Sequence, residues 1–240
     1  FMPQELAVSL WSLAKLDAIL PASFIEAWCV AFSREDQKFE PQHLGMVAWA
    51  FGHWHASPPS VFWDAWTRAF VKLGDIALSP QTVSNCLWAL GRLEYHPDSR
   101  VTAKLLQSFH DTVQEMTAQE LANAFFGLAQ IGQNPGPENF MLWTESVEKK
   151  LNVLNGHELA NCIWALGKLH LRPSDEFLAK WYERYYSQAS EFTAKHLALT
   201  LWALANLEIP LEPDFQKSWC ASFVKLADSL PHDYLPMAVW

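Results

Sequence analysis

The feature that most limits the fold of this 240-residue chain is a repeat with a period of 38 residues. Two of its clearest copies are Val83–Leu93 (VSNCLWALGRL) and Leu159–Leu169 (LANCIWALGKL). Each copy centres on one aromatic residue, called the anchor, and successive anchors are 38 residues apart except for one interval of 39. The anchors are Trp11, Trp49, Trp88, Phe126, Trp164, Trp202 and Trp240. A period of this length is typical of stacked repeat units, each of which buries its apolar face only against its neighbours.

Each repeat contains two predicted helices. A second series lies 17 residues after the anchors, at Trp28, Trp66, Leu105, Trp143, Trp181 and Trp219. Helix-capping residues lie nine positions before four anchors, at Ser79, Thr117, Asn155 and Thr193. Prolines then mark the start of each second helix. The pattern predicts an all-α protein, an α-solenoid (superhelix) of about six 38-residue two-helix repeats, with residues 1–240 as a single solenoid. Because Trp240 is itself an anchor, we expect a fragment of a longer array.

The anchor helices are predicted to be buried on three sides. On a helical wheel their apolar or small positions cover roughly 220°, at about 100° per residue. This pattern assigns the anchors and the second aromatic series to the core. The positions four before and three after each anchor are small, as at Gly45 and Gly52, so we expect neighbouring helix backbones to approach closely there.

Composition excludes several classes of protein. Half of the residues are hydrophobic and 18% are charged, which indicates a folded chain, and no apolar stretch is long enough to predict a membrane span. The net charge of −9 is unsuited to coating nucleic acid with the whole surface. The four cysteines form no metal-binding spacing, so we predict no metal and assign them to packing; they are Cys29, Cys86, Cys162 and Cys220.

The motif around the anchors, best seen at Leu159–Leu169, resembles the octotricopeptide repeat family, and the resemblance covers the entire chain. It implies an α-solenoid in a mitochondrion or chloroplast that binds organellar RNA for stabilisation, processing or translation, or that forms part of an organellar ribosome. The implied partners are single-stranded or ribosomal RNA, with ribosomal or other organellar proteins also possible. No membrane span and no cofactor are expected.

The remaining arc of the anchor helix holds the candidate RNA-binding residues. Positions +4 and −7 relative to the anchor are polar throughout, position −3 is asparagine in three repeats, and position +1 is small. Stacked repeats would therefore form a polar ladder with a floor of small residues. The candidates are Lys15, His53, Asn85, Arg92, Asn123, Gln130, Asn161, Lys168, Lys195 and Asn206. Their amides and cations suit the exposed edges and phosphates of single-stranded RNA. Lys15, Arg92, Lys168 and Lys195 outnumber Asp233, the one acidic residue of the ladder.

Other interpretations of these residues stay open. The asparagines could join neighbouring repeats through buried hydrogen bonds, and the cations at +4 could serve the helix macrodipole. A different class of function, a protein-binding scaffold within a ribonucleoprotein or other complex, fits the acidic net charge. Catalysis is disfavoured: the chain has no G-x-S-x-G, P-loop or H-E-x-x-H motif, and His53 and His55 point apart on a helix, so we predict no enzyme.

Overall fold

The computed structural model describes residues 1–35 and 38–229, and these residues contain twelve α-helices and no strand. The chain forms two compact units, Phe1–Glu115 and Met116–Trp240. The first unit contains α1 (Pro3–Lys15), α2 (Ala22–Glu35), α3 (Pro41–Trp54), α4 (Ser60–Lys72), α5 (Pro80–Arg92) and α6 (Ser99–Thr112). The second contains α7 (Ala118–Gln130), α8 (Pro137–Glu148), α9 (Gly156–Leu169), α10 (Asp175–Gln188), α11 (Ala194–Asn206) and α12 (Pro213–Leu226).

Each unit consists of two layers of helices. In the first unit the anchor helices α1, α3 and α5 pack side by side, and the second helices α2, α4 and α6 form the other layer. In the second unit α7, α9 and α11 pack in the same way, and α8 and α10 contact each other in the second layer. The prediction of an all-α helical-repeat fold of the α-solenoid type is therefore confirmed.

The helix starts follow the capping residues predicted from the sequence. The side chains of Ser79, Thr117, Asn155 and Thr193 each accept a hydrogen bond from the backbone N–H three residues later. Thr117 and Glu120 form a reciprocal capping box, in which the Glu120 carboxylate accepts from the Thr117 backbone N–H at 2.8 Å. These bonds satisfy backbone donors that the first helical turn leaves unpaired.

Every described anchor helix ends in the same backbone motif. The residue six positions after the anchor adopts a left-handed conformation. Its backbone N–H donates to the carbonyl of the residue three positions earlier. The N–H of the following residue donates to the carbonyl five positions before that residue. This is the Schellman motif, which usually has glycine at the left-handed position. Of the six residues at this left-handed position, one is a glycine, Gly132, with φ 63°. The others are Asp17, His55, Glu94, His170 and Glu208.

Small residues bring neighbouring anchor helices close together, as predicted. A Cβ added to Gly52 would lie 3.0 Å from the Cα of Ala89, and one added to Gly167 would lie 2.6 Å from the Cα of Ala203. In both cases the glycine lies three residues after its own anchor, and the alanine that it contacts lies one residue after the next anchor. The glycines therefore set the spacing of the anchor layer.

The second aromatic series joins the two layers of each repeat. The indole N–H of Trp66, for example, donates to the backbone carbonyl of Leu44, 22 residues earlier, at 3.1 Å. The same bond is made by Trp28, Trp143, Trp181 and Trp219. The core prediction is confirmed for the buried residues Trp28, Trp66, Leu105, Trp143 and Trp181. It is wrong for Trp219, which is half-buried.

Three of the four cysteines are packing residues. Cys29, Cys86 and Cys162 are buried, and burial raises the pKa of each thiol. The same prediction is wrong for Cys220, which is exposed. Among the described side chains of α12 only Phe215 is buried.

Candidate nucleic-acid interface

The +4 residues of the first unit lie against the anchor rings. Because residues four apart on a helix lie on the same face, the side chain at +4 reaches the anchor of its own helix. The ammonium of Lys15 lies 5.5 Å from the ring centroid of Trp11 and 4.4 Å from that of Trp49 on the neighbouring helix. The guanidinium of Arg92 lies 5.8 Å from the Trp88 ring centroid. Both are cation–π contacts.

His53 occupies the middle of this arrangement. Its imidazole stacks on Trp49, with ring centroids 4.8 Å apart, and its Nε2 lies 2.7 Å from Asp17 Oδ1 at the end of α1. Asp17 is 82% exposed, so this contact is at the surface and contributes little to stability. The contact instead orients the imidazole on the ring.

The anchor rings themselves form a continuous row, called here the first ring row: Trp11, Trp49 and Trp88. The centroids of Trp11 and Trp49 are 6.5 Å apart, and those of Trp49 and Trp88 are 6.1 Å apart with 23° between the planes. All three rings are half-buried. The prediction that the anchors are core is therefore wrong for this row, since the neighbouring helices cover only part of each ring.

The second unit has a corresponding second ring row: Phe126, Trp164 and Trp202. Phe126 and Trp164 have centroids 5.0 Å apart, and Trp164 and Trp202 6.4 Å. Here the middle ring is buried, because Trp164 is only 5% exposed, while the two outer rings are half-buried. For Trp164 the core prediction is confirmed.

The +4 residues of the second unit differ from those of the first. Lys168 is exposed and Gln130 is half-buried. The Asn206 amide donates to the backbone carbonyl of Trp202 at 2.8 Å, so part of its hydrogen-bonding capacity is used within its own helix. The second unit thus presents mainly amides and one exposed cation at these positions.

The asparagines at −3 do not share one environment. Asn85 and Asn123 are half-buried, whereas Asn161 is 4% exposed. The Asn161 amide lies 3.1 Å from His157 Nε2, and His157 Nδ1 lies 3.2 Å from His196 Nε2 on α11. The Asn161 amide thus bonds within its own helix, and the direct link to the next repeat is made by His157.

His196 is the buried end of this hydrogen-bonded chain. Its Nδ1 accepts from the backbone N–H of Thr193, which completes the capping box of α11. Burial, together with nearby His157 and Lys195, lowers the pKa of His196 to about 4. Lys195, a ladder candidate at −7, is half-buried.

The predicted floor of small residues is wrong. Ala50, Ala89, Ala165 and Ala203, one residue after their anchors, are fully buried. Ala89 and Ala203 lie against Gly52 and Gly167, the small residues at +3 of the neighbouring anchor helices, and so cannot face a ligand.

Asp233 and the anchor Trp240 lie outside the described residues. Within the described ranges, no three His, Cys, Asp or Glu side chains are grouped so as to hold a metal ion. None of the described helices has the length and apolar character needed to cross a membrane.

The +4 contacts with the ring row were missed by the sequence analysis, although a signal for them was present. Trp11 and Lys15, Trp49 and His53, and Trp88 and Arg92 all pair an aromatic residue with a basic one at i, i+4 spacing. Because residues four apart are neighbours on a helix, this spacing alone places each +4 side chain beside the anchor ring of its own helix.

Comparison with known families gives one match. Residues 68–231 match the family of the Tbc2 translation factor, N-terminal domain, over more than half of the chain. The chain belongs to this family. The matched residues of the Tbc2 N-terminal domain family begin in α4 and include the whole second ring row. No curated protein matches the chain. Membership links the chain with a translation factor, which agrees with the expected part in gene expression at the level of translation.

Proposed function

We propose that this chain is an RNA-binding helical-repeat protein of the octotricopeptide type and that the ring-row face of its anchor helices binds single-stranded RNA. The observation that carries the proposal is the alignment of Lys15, His53 and Arg92 along three successive anchor helices of the first unit. Together they give one face of an acidic protein a line of basic groups.

Charge and chemistry support RNA as the ligand of this face. Lysine and arginine side chains neutralise phosphates and release counterions, and half-buried amides such as Asn85 and Asn123 can donate to and accept from base edges. The net charge of −9 repels RNA from the rest of the surface, so that binding is confined to this face.

The proposed biological role is in organellar gene expression. The repeat motif, through its resemblance to octotricopeptide proteins, supports a mitochondrion or chloroplast as the location and RNA stabilisation, processing, translation or ribosome assembly as the setting. The Tbc2 translation factor family match supports translation among these. We propose a binding protein and not an enzyme.

The second candidate is a scaffold that binds a basic protein, and the acidic net charge favours it. Helical arrays present long surfaces to proteins as well as to RNA. An RNA ligand and a basic protein differ in charge, so one set of charge-removing variants distinguishes them.

The test is equilibrium binding of the full chain to a pool of single-stranded organellar RNA at several salt concentrations. We expect log K to fall with log salt by about 0.7 for each phosphate contacted. Arg92→Gln and Lys168→Gln should weaken binding and make this slope shallower. The matched controls Lys72→Gln and Lys217→Gln remove the same charge from exposed sites on the second helices α4 and α12 and should leave binding unchanged.

Two results would contradict the proposal. The first is no binding at low salt by a chain that is folded by circular dichroism. The second is an equal loss of RNA affinity in the control variants and in Arg92→Gln and Lys168→Gln, which would mean that positive charge anywhere on the surface holds the RNA. If the chain bound a basic peptide more tightly than RNA, and if variants that remove acidic groups lost this peptide binding, the protein scaffold would be favoured.

A further inference from the structure

The tryptophans of the first ring row are half-buried because of their position in the repeat, since a tryptophan at another repeat position of the same unit is fully buried. In the same unit Trp66, of the second series, is fully buried and its indole N–H is bonded to Leu44. Trp11, Trp49 and Trp88 all keep part of the ring exposed although a buried site for tryptophan exists one layer away. A row of three partly exposed indoles in mutual contact is an extended π surface.

Cationic or titratable side chains rest on this surface. Lys15 lies between two rings, closer to Trp49 at 4.4 Å, and Arg92 lies over Trp88. A cation–π contact at or near the surface is generally weaker than the stacking of a nucleic-acid base on an aromatic side chain. A base can therefore replace a cation on a ring, and the displaced cation then remains beside the phosphate that the base brings with it.

The spacing of the rings sets the geometry of such binding. Successive centroids are 6.5 and 6.1 Å apart, about twice the roughly 3.4 Å rise per nucleotide of a stacked strand. A strand that follows the row must therefore be extended, with its bases separated from one another.

We propose that the first ring row is a base-stacking platform that takes one base of single-stranded RNA on each of Trp11, Trp49 and Trp88, while His53 leaves the face of Trp49 and Lys15 and Arg92 move from the rings to the phosphates. The proposal rests on the proposed function and specifies how the RNA is held. Because every base has a π face, stacking of this kind tolerates any base sequence, and sequence preference must come from the neighbouring amides.

The experiment compares two fluorescently labelled oligonucleotides with the full chain: oligouridylate of nine nucleotides, and an oligomer of the same length in which every base is replaced by an abasic site. Both carry the same phosphates. We expect the abasic oligomer to bind at least fivefold more weakly, the loss that one stacked base gives. The result needs no variant and so does not depend on the folding of one.

Variants locate the effect on the row. Trp49→Leu should weaken binding of the base-bearing oligomer at least fivefold and leave the abasic oligomer unchanged. Trp49→Phe keeps an aromatic face and should retain intermediate affinity, and it replaces the leucine variant if that variant fails to fold. Asp64→Asn, an exposed site on α4, is a control that should change neither affinity.

The outcomes separate the two proposals. Equal affinity for both oligomers would overturn base stacking and leave RNA binding through phosphates intact. Equal loss of both oligomers in Trp49→Leu would also overturn stacking, because it would show a purely structural role for the ring. No binding of either oligomer at low salt would overturn the proposed function and the stacking platform with it.

Discussion

The two units place different surroundings around the same repeat position. In the first unit Trp49, the middle anchor, is half-buried and carries His53 and Lys15 against its ring. In the second unit the corresponding Trp164 is 5% exposed, and its own +4 residue, Lys168, is exposed to solvent. The repeat position thus determines which face of the anchor helix carries a side chain, while the neighbouring residues determine whether that side chain is buried or exposed.

The largest expected effect compares the two middle anchors directly. Trp164→Ala should lower the free energy of unfolding by about 3–5 kcal/mol, because a buried aromatic ring is replaced by a cavity. Trp49→Ala should cost less than half as much, since its ring is already partly in water. Urea denaturation followed by circular dichroism measures both. Equal losses would mean that the two anchors are equally buried.

The next effect tests the hydrogen-bonded chain that ends at His196 in the second unit. The usual pKa of histidine is about 6.5, and that of folded His196 is lowered to about 4. Between these values the unfolded chain binds more protons, so stability should fall as the pH falls from about 6.5 to 4, by up to about 1.4 kcal/mol per pH unit.

His196→Gln provides the matched variant for this prediction. Glutamine at this position still completes the capping box with Thr193 but does not titrate. Its stability should therefore depend less on pH over the same range, as measured by urea denaturation at a series of pH values. An unchanged pH profile would show that His196 is not the group responsible.

The smallest expected effect concerns the close approach of the anchor helices. Gly167→Ala places a Cβ 2.6 Å from backbone of the neighbouring helix and should lower stability by about 1–3 kcal/mol. Gly52→Ala, in the same position of the first unit, starts from 3.0 Å and should cost less. Thermal unfolding of both variants gives the order, and a larger loss for Gly52→Ala would contradict the packing described for the two units.

Most of the fold was predictable from the sequence because its causes are local and periodic. The capping residues Ser79 and Asn155 start helices where predicted, and small residues such as Gly167 lie at the helix contacts. The left-handed helix ends were not predictable in the same way. Residues such as Asp17 and Glu94 adopt a conformation that glycine usually supplies, so composition gave no signal for the turn.

The candidate site was predictable only in part. The helical wheel identified Lys15, His53 and Arg92 as members of one stripe, but it could not show how far neighbouring helices cover each anchor. Trp49 and Trp164 occupy the same wheel position and differ in burial. The wheel also placed Asn161 on the open face, whereas the structure buries it and places its amide beside His157, which contacts His196 on the next anchor helix.

The central claim is that RNA lies along the ring-row face of the anchor helices, and photo-cross-linking tests it most directly. The full chain would be bound to oligonucleotides containing 4-thiouridine and irradiated, and the cross-linked residues identified by mass spectrometry. The account predicts cross-links in α1, α3 and α5 at or beside Trp11, Trp49 and Trp88. Cross-links confined to the second helices α2, α4 and α6 would contradict it.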